Sequence, residues 1–568
     1  MHSVIVNKKR VVTNIATLVI VLAIGGCSKV TSNPEQVKNT VANEPLAPSL
    51  QASMSINPWY QSAQDSLQAD FAKFEAIQNQ IGSAKNVILF VGDGMSISTI
   101  TAARILDGQL RGESGEENQL SFEKFPFTGF SKTYNVDAQT PDSAGTMTAM
   151  MSGVKTDAGI VGLSEEVTRG DCASSKGTEV ISALELAEIA GMATGIVTTA
   201  RLTHATPAAT YAHSPDRDWE DVSDMPASAI AQGCMDIADQ FVHLKEKIEQ
   251  EYGVSVDGID VAMGGGRRHF LPKDAAFNSP DAVSAIEGDR TDNRDLIAEW
   301  KKLYPSGQYV MDQTGFDALT TAAQLPVLGL FNESHMRYEM DRKNDVSGEP
   351  SLSEMTAKAI QLLEAKDKDK DKGYFLMVEA GRIDHGHHAG SAFNALHESI
   401  ELSQAVAKAQ ASTNPNETLI IVTSDHSHVF TMAGYPKRGN PILGKVVSVG
   451  SDQEALALDD MPYTTLGYAN GRGFKDLGEE TDGDLAYEHP VDQGRKDLNS
   501  INTQTPGYHQ EALIPLESET HSGEDVGIFA TGPGAHLVSG VHEQNVIFHI
   551  MNYAANLTGK ATSTLPKK

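Results

Sequence analysis

Basic residues are scarce in this chain. Its 568 residues include 45 Lys and Arg against 75 Asp and Glu, which gives a formal net charge of −30 at pH 7. A nucleic-acid scaffold needs a basic surface to meet the phosphate backbone, so the composition argues against that class of protein. The same charge repels small anionic ligands, so a site for one must be made locally positive by metal ions or arginine.

Cysteine occurs only three times, at Cys27, Cys172 and Cys234. Cys27 ends a predicted export sequence, which leaves one pair of cysteines in an oxidising compartment. We expect Cys172 and Cys234 to form a disulfide, which would stabilise the fold by roughly 4 kcal/mol on the chain-entropy view. The alternative is two separate buried thiols.

Long apolar stretches are also missing, because no segment approaches the 18 apolar residues that are typical of a spanning helix. The N-terminal run 11–24 follows the basic segment 8–10 and has the order of a secretory signal. It ends in Gly25-Gly26-Cys27, which resembles a bacterial lipobox. We predict a lipoprotein signal peptide over 1–27, lipidation of Cys27, and a lipid-anchored protein at the outer membrane or in the periplasm. The alternative is an ordinary cleaved signal with an incidental cysteine.

The next two segments differ in composition. Residues 28–55 are rich in Ser, Asn, Pro and Gln and poor in aromatics, which predicts a flexible tether. Helix formers dominate 56–80, and its apolar positions predict an amphipathic helix that needs a partner surface.

Apolar runs rich in β-branched residues alternate with helical patterns along the rest of the chain. The runs predict strands that are buried on both faces, and they cover 86–91, 195–199, 374–378, 419–423 and 526–530. Helical patterns cover 178–189, 351–365 and 391–410. This alternation predicts an α/β fold with a mostly parallel central sheet and helices on both faces. Residues 431–515 lose the pattern, so we expect a loop-rich insertion in a catalytic body of 81–430 and 516–560.

Three acidic residues lie at the ends of predicted strands. Asp93, Glu379 and Asp425 each follow the last residue of an apolar run by one or two positions. Open α/β sheets bind ligands at the carboxyl ends of their strands, so we expect the three carboxylates to converge on one edge.

Histidines and carboxylates form two sets suited to catalytic zinc, which takes three protein ligands and keeps an open position. The first set is Asp384, His388 and His521. The second set, whose open position Ser143 would occupy, is Asp93, Asp425 and His426. Two ions about 4 Å apart would clamp the attacking and leaving oxygens of an in-line displacement. A third set offers only oxygen ligands, which suits Mg²⁺, and consists of Asp93, Thr206 and Glu379. A single histidine of this kind is better explained as a structural residue, but the whole combination is not.

Ser143 and Arg217 are the candidate reactive groups. Ser143 precedes small and apolar residues that predict a helix, and the positive end of a helix favours a phosphate. The alternative is a simple helix N-cap. Arg217 has a guanidinium fork that matches two phosphoryl oxygens, although taken alone it would more readily form a surface salt bridge.

Six motifs together carry a family resemblance. They occur in one order, at 91–95, 141–144, 203–207, 379–388, 423–428 and 520–525. With them the chain resembles the alkaline phosphatases from about residue 86 to about residue 556. It is most similar to the animal-type branch, whose cysteine pair spans the same segment as Cys172 and Cys234.

The resemblance implies metal-dependent hydrolysis of small phosphate monoesters to an alcohol and inorganic phosphate. The two sets above would hold two Zn²⁺, and the oxygen set would hold one Mg²⁺, with His204 reaching that ion through water. Ser143 would attack phosphorus to give a phosphoserine, which hydroxide would then hydrolyse. Arg217 would hold the phosphoryl oxygens and Asp142 would orient Arg217. The residues expected just outside the ligands are His385 and His428.

The resemblance also implies a homodimer. Residues 431–515 would form a crown-like insertion at its interface, and the helix in 56–80 would embrace the other subunit. The animal-type branch carries an additional Ca²⁺ site with a Phe-Glu pair, whereas this chain has Phe331-Asn332. The Ca²⁺ site is therefore not carried over, unless Glu333 or Glu349 replaces the missing carboxylate.

Two other functions stay open from the sequence. A diesterase or sulfatase on the same type of metal-dependent fold is one, but Ser143 lacks the sulfatase context and a diesterase would favour threonine. A lipoprotein that only captures phosphate or metal is the other, and the complete set of reactive residues argues against it.

Overall fold

The computed structural model describes residues 83–320, 325–367 and 372–566. The predicted signal peptide (1–27) with Cys27, the tether (28–55) and the helix in 56–80 lie outside the described residues. Of the helices within them, none combines the length and apolar character that a membrane crossing requires.

The strands are numbered in chain order. They are β1 (Asn86–Gly92), β2 (Phe127–Lys132), β3 (Ala193–Arg201), β4 (Val261–Gly265), β5 (Gln308–Val310), β6 (Val327–Leu330), β7 (Tyr374–Ala380), β8 (Thr418–Thr423), β9 (Ser427–His428), β10 (Phe430–Met432), β11 (Leu466–Gly471), β12 (Lys475–Asp476), β13 (Tyr508–His509), β14 (Ala512–Pro515), β15 (His521–Ser522), β16 (Val526–Thr531) and β17 (Gly540–Glu543).

Ten of these strands form one sheet in the order β17-β2-β16-β8-β1-β7-β3-β4-β6-β5. Every neighbouring pair in it is parallel except those of β16, which runs antiparallel to β8 and β2. The predicted α/β fold with a mostly parallel sheet is confirmed. The five strands expected from the apolar runs are all present, each within two residues of the expected bounds at either end.

The α-helices cover both faces of this sheet. They are α1 (Ile97–Leu110), α2 (Ser143–Ser152), α3 (Ala183–Ala190), α4 (Ala205–Ala208), α5 (Ala227–Gln232), α6 (Ile237–Val242), α7 (Leu244–Tyr252), α8 (Leu296–Leu303), α9 (Gln313–Ala318), α10 (Leu352–Lys366), α11 (Arg382–His388), α12 (Ala392–Ser412), α13 (Val546–Ala555) and α14 (Leu557–Thr564).

Strand β1 shows why the central runs are continuously apolar. Side chains of a strand alternate between the two faces of its sheet. Leu89 and its alternate neighbours pack in one core with α2, α3 and α13. Ile88 and Phe90 pack in a second core with α1, α10 and α12. Both faces are therefore covered, and apolar residues fill positions 87–91 of the strand.

One helix begins later than its pattern suggests. The apolar pattern predicts a helix from residue 178, but α3 begins at Ala183. Ser182 caps it by accepting a hydrogen bond from the Glu185 backbone, and the Glu185 side chain accepts one from the Ser182 backbone. This capping box fixes the start, because its first residue needs an extended backbone.

The segment between β9 and β16 adds small sheets and loops to the main sheet. Strands β10, β11 and β14 form a three-stranded sheet, and β12 pairs with β13. Strand β15 pairs with β9, which places His521 opposite His428. Elsewhere Cys172 and Cys234 form a disulfide with a Cα–Cα distance of 6.0 Å, which confirms that prediction.

Candidate metal centre

The three strand-end carboxylates do meet at one edge of the sheet. Strand β1 lies between β7 and β8, and Val91 is in register with Glu379 on one side and Thr423 on the other. Asp93 follows β1 and Asp425 follows β8, whereas Glu379 lies inside β7, which extends one residue beyond it. All three side chains are fully buried.

Several ligand atoms of this cluster accept no hydrogen bond from any described residue. They are both carboxylate oxygens of Asp93, Oε1 of Glu379, Oδ2 of Asp425 and Oγ1 of Thr206. Buried polar atoms are normally paired, and buried carboxylates of like charge repel one another. Burial and the neighbouring Asp425 raise the pKa of Asp93 well above its ordinary value. Bound cations would satisfy these atoms, so the residues fit a metal centre.

The second predicted zinc set is tightly grouped. Nε2 of His426 lies 3.3 Å from Oδ1 of Asp93 and 3.3 Å from Oδ2 of Asp425. The hydroxyl oxygen of Ser143 is 3.2 Å from the same nitrogen. The sequence-predicted nucleophile therefore lies beside this set.

The first predicted zinc set is equally compact. Nε2 of His388 and Nε2 of His521 each lie 3.3 Å from Oδ1 of Asp384, and the two nitrogens are 3.1 Å apart. Asp384 and His388 belong to α11, so their four-residue separation places them on one helical face.

Two members of the predicted magnesium set, Asp93 and Glu379, come together with His204. Ligand atoms of Asp93, Glu379 and His204 lie within 4.8 Å of one another. Burial raises the pKa of Glu379 to about 8. Thr206, which lies in α4, lowers this pKa and so opposes the effect of burial. Thr198, which sequence analysis missed, donates its hydroxyl to Oε2 of Glu379. It is in register with Glu379 on the adjacent β3.

Ser143 is the first residue of α2, but it does not cap the helix. Asp142 does so, with Oδ1 accepting from the backbone of Gly145 at 3.1 Å. This arrangement leaves the Ser143 hydroxyl free for the site.

Asp142 also binds Arg217. Nη1 of Arg217 donates to Oδ2 of Asp142 at 3.1 Å, and Nη2 contacts Nε2 of His204 at 3.2 Å. Burial opposes ionisation of Asp142, but the charge of Arg217 prevails and lowers its pKa. Asn135, a residue that sequence analysis missed, donates to Oδ1 of Asp142 at 2.8 Å.

His428 lies just behind the first set, and its partner Glu519 was given no role in the sequence analysis. Nε2 of His428 is 2.8 Å from Oδ1 of Asp384, and Nδ1 is 2.5 Å from Oε2 of Glu519. Burial opposes the charge, but Glu519 and Asp384 raise the pKa of His428 to about 10. Glu519 immediately precedes the motif at 520–525, which was the only signal available.

His385 lies outside both zinc sets, in a group of three imidazoles. Its ring centroid is 4.0 Å from that of His335 and 5.7 Å from that of His204. His335 contacts the guanidinium of Arg201, which in turn binds Glu220. No sequence motif pointed to His335.

The carboxylates that could restore a Ca²⁺ site are occupied by other partners. Glu333 accepts from the Ser284 hydroxyl at 2.6 Å and pairs with Arg268 at 3.4 Å. Burial raises the pKa of Glu349 to about 8. Across 83–320, 325–367 and 372–566, neither residue lies in a cluster of three or more His, Cys, Asp or Glu ligand atoms.

Comparison with known proteins identifies the family. The alkaline phosphatase family model matches residues 84–557. The mouse tissue-nonspecific alkaline phosphatase is 45% identical over 500 residues, which cover 88% of each chain. The alkaline phosphatase of Gadus morhua is 43% identical over 474 residues, or 83% of this chain and 92% of that one.

Solved structures share the fold. The alkaline phosphatase of the Antarctic bacterium TAB5 aligns with a TM-score of 0.54 at 22% identity, covering 84% of this chain and 99% of the other. The Thermus thermophilus alkaline phosphatase aligns with a TM-score of 0.56 at 23% identity, covering 86% and 97%. With the family model and the animal relatives, these matches show that the chain belongs to the alkaline phosphatase family and is a metal-dependent hydrolase of phosphate monoesters.

Proposed function

We propose that this hydrolase works through a phosphoserine at Ser143. The observation that carries the proposal is the position of its hydroxyl, 3.2 Å from His426 and at the first residue of α2. The hydroxyl oxygen attacks phosphorus in line and the alcohol leaves from the opposite side. The backbone N–H groups and dipole at this helix end favour the negative phosphoryl group.

Arg217 holds the phosphoryl oxygens during this attack. Asp142 fixes one arm of the guanidinium and His204 borders the other, so the fork keeps one orientation. Asp142 is itself held by Gly145, Gly159 and Asn135. A guanidinium that is oriented before the substrate arrives loses less freedom on binding.

We propose two Zn²⁺ and one Mg²⁺ per chain. Asp384, His388 and His521 would hold one zinc, and Asp93, Asp425 and His426 the other. The magnesium ligands would be Asp93, Thr206 and Glu379, with His204 beside them. Such ions, when bound, lower the pKa of a coordinated oxygen and neutralise phosphoryl charge. His428, held between Glu519 and Asp384, would keep the Asp384 carboxylate oriented.

Trapping of the phosphoenzyme tests the nucleophile. Ser143→Ala should abolish acid-stable labelling by a radioactive phosphate monoester while zinc content stays near that of wild type. Ser152→Ala is the matched control, since it makes the same change at the other end of α2. Labelling that persists in Ser143→Ala would contradict the assignment of the nucleophile.

We also propose that the protein is exported, lipid-anchored through Cys27, and dimeric. The disulfide Cys172–Cys234 favours an oxidising compartment.

Strand β14 is at an edge of its sheet and exposes 79% of Leu513 and 53% of Ile514. An exposed apolar edge strand is a template for pairing, which supports a crown-like interface formed by 431–515.

Two measurements separate these proposals. Cys27→Ser should release the protein from membranes if a lipid at Cys27 anchors it. Leu513→Asp with Ile514→Asp should shift the sedimentation coefficient from dimer to monomer. A wild-type protein that sediments as a monomer would contradict the second proposal.

A further inference from the structure

A short segment of the 431–515 insertion contacts the helix that carries two of the metal-ligand candidates. The 3₁₀ helix Gly483–Glu488 presents Asp484 to α11. Oδ2 of Asp484 accepts from Nη2 of Arg382 at 2.7 Å, and Oδ1 accepts from the Tyr338 hydroxyl at 2.7 Å. Arg382 is the first residue of α11, two positions before Asp384.

Tyr338 and Asp484 together fix the Arg382 side chain. The guanidinium carbon lies 3.7 Å from the centroid of the Tyr338 ring, which is a cation–π contact. Only 4% of the Arg382 side chain is exposed, against 43% for Asp484. A buried guanidinium requires an anionic partner, and Asp484 supplies it from the insertion.

The other arm of Arg382 reaches His385. Nη1 lies 3.1 Å from Nδ1 of His385. A guanidinium has only donors, so Nδ1 of His385 must accept, and the ring proton of the neutral imidazole is then on Nε2. The His385 ring packs beside His204, and His204 contacts Arg217.

We propose that Asp484 and Arg382 are positioning residues that make His385 a hydrogen-bond donor for the phosphoryl group. Asp484 holds Arg382, Arg382 holds Nδ1 of His385, and Nε2–H is thereby left as the donor of a ring that packs beside His204, the neighbour of Arg217. The inference rests on the proposed function, because it requires phosphate to bind beside Arg217. It assigns the insertion a part in substrate binding in addition to its proposed part in the dimer.

Calorimetric titration with inorganic phosphate tests the relay on the metal-loaded protein. Asp484→Ala should weaken phosphate binding by about 3- to 10-fold, the range of one net hydrogen bond. KM for a phosphate monoester should rise by a similar factor, and kcat should change less. Glu488→Ala is the matched control on the same 3₁₀ helix, and it should leave the phosphate Kd at the wild-type value.

A double-mutant cycle separates the relay from a general structural effect. In a His385→Ala background, Asp484→Ala should change the phosphate Kd by less than about 1.5-fold, because the donor it positions is already gone. Additive effects, an unchanged Kd or tighter binding in Asp484→Ala would each overturn the proposal. Zinc content and thermal unfolding of each variant identify any that fail to fold.

Tyr338→Phe provides a second variant. It removes only the hydroxyl that binds Asp484 and keeps the ring under Arg382, so it should weaken phosphate binding less than Asp484→Ala does. An effect larger than that of Asp484→Ala would overturn the relay. These outcomes are independent of phosphoenzyme formation at Ser143, so the failure of one proposal is distinguishable from the failure of the other.

Discussion

Two buried clusters of charged side chains differ in whether their polar atoms have hydrogen-bond partners. At the strand ends, both oxygens of Asp93 lack a hydrogen-bond partner among the residues that the structure describes. Around Arg267, which is 1% exposed, the partners are complete: Nε donates to Glu287 at 2.5 Å, Nη2 to Asp281 at 2.8 Å and Nη1 to the Leu330 carbonyl at 3.1 Å.

The difference separates a functional cluster from a structural one. The Arg267 cluster contains its own counter-charge, so it needs no ligand. The strand-end cluster gathers carboxylates that repel one another, which the fold tolerates only if a cation or a proton joins them. Clusters of buried like charges with unpaired atoms are therefore the stronger guide to a binding site.

The largest expected effect comes from breaking the strand-end cluster. Asp93→Asn should lower kcat/KM by about 10³-fold or more, because Asp93 is a proposed ligand of two ions. Treated with a chelator at pH 8, the same variant should unfold at a higher temperature than chelated wild type, since one repelling carboxylate is gone. Asp452→Asn, an exposed change of equal charge, is the control. If the chelated variant is less stable than chelated wild type, the Asp93 carboxylate stabilises the fold without metal, as the paired carboxylates around Arg267 do.

Breaking the Arg267 cluster should lower the stability of the fold and leave the activity unchanged. Glu287→Gln removes one of the two carboxylates that pair with the buried Arg267 guanidinium and should lower the free energy of unfolding by about 1.5–3 kcal/mol. Its activity per folded molecule should stay at the wild-type level, because the Glu287 carboxylate accepts from Arg267 and the Ser279 backbone, which lie outside the candidate metal centre. Urea unfolding and kcat/KM below the transition measure the two quantities. A loss of activity without a loss of stability would contradict the structural assignment.

Glu398 sharpens the comparison as a buried carboxyl that forms no ion pair with any residue the structure describes. Burial raises its pKa from 4.5 to about 8. Because the folded pKa is the higher one, the stability contributed by the protonated form is complete below pH 4.5 and is lost as pH rises through 8. Each pKa unit corresponds to about 1.4 kcal/mol, so wild type should lose a few kcal/mol by pH 9.

Glu398→Gln keeps an acceptor for the Glu339 backbone and cannot ionise. The variant should therefore gain stability relative to wild type as pH rises from 5 to 9, measured by urea unfolding at each pH. Glu488→Gln, at an exposed position, should show no such trend. A constant difference between wild type and Glu398→Gln would mean that this carboxyl is ionised throughout.

Local patterns in the sequence predicted the parts of the site that depend on sheet geometry. The run 86–91 identified a strand buried on both faces, and the position of Asp93 after it identified the sheet edge. The missed residues are long-range partners. Glu519 binds His428 across 91 residues, and Thr198 binds Glu379 across 181. Nothing in their local spacing could indicate such pairs, because they arise only when strands become neighbours in the sheet.

Arg217 is intermediate between the two clusters, and its substitution should have the smallest effect. Asp142 satisfies one arm of its guanidinium, and the rest borders the site beside His204. Arg217→Ala should weaken inhibition by inorganic phosphate by about 10- to 100-fold, the range of hydrogen bonds to a charged group. Some turnover should remain. Phosphate inhibition of Arg217→Lys should fall between that of wild type and that of Arg217→Ala, because lysine keeps the charge without the guanidinium fork.

Arg169→Ala is the control, since Arg169 is more exposed and binds Asp216 and Asp218 on either side of Arg217. Phosphate inhibition that is unchanged in Arg217→Ala would make Arg217 a structural residue, because its only role would then be to pair with Asp142, as Arg267 pairs with Glu287.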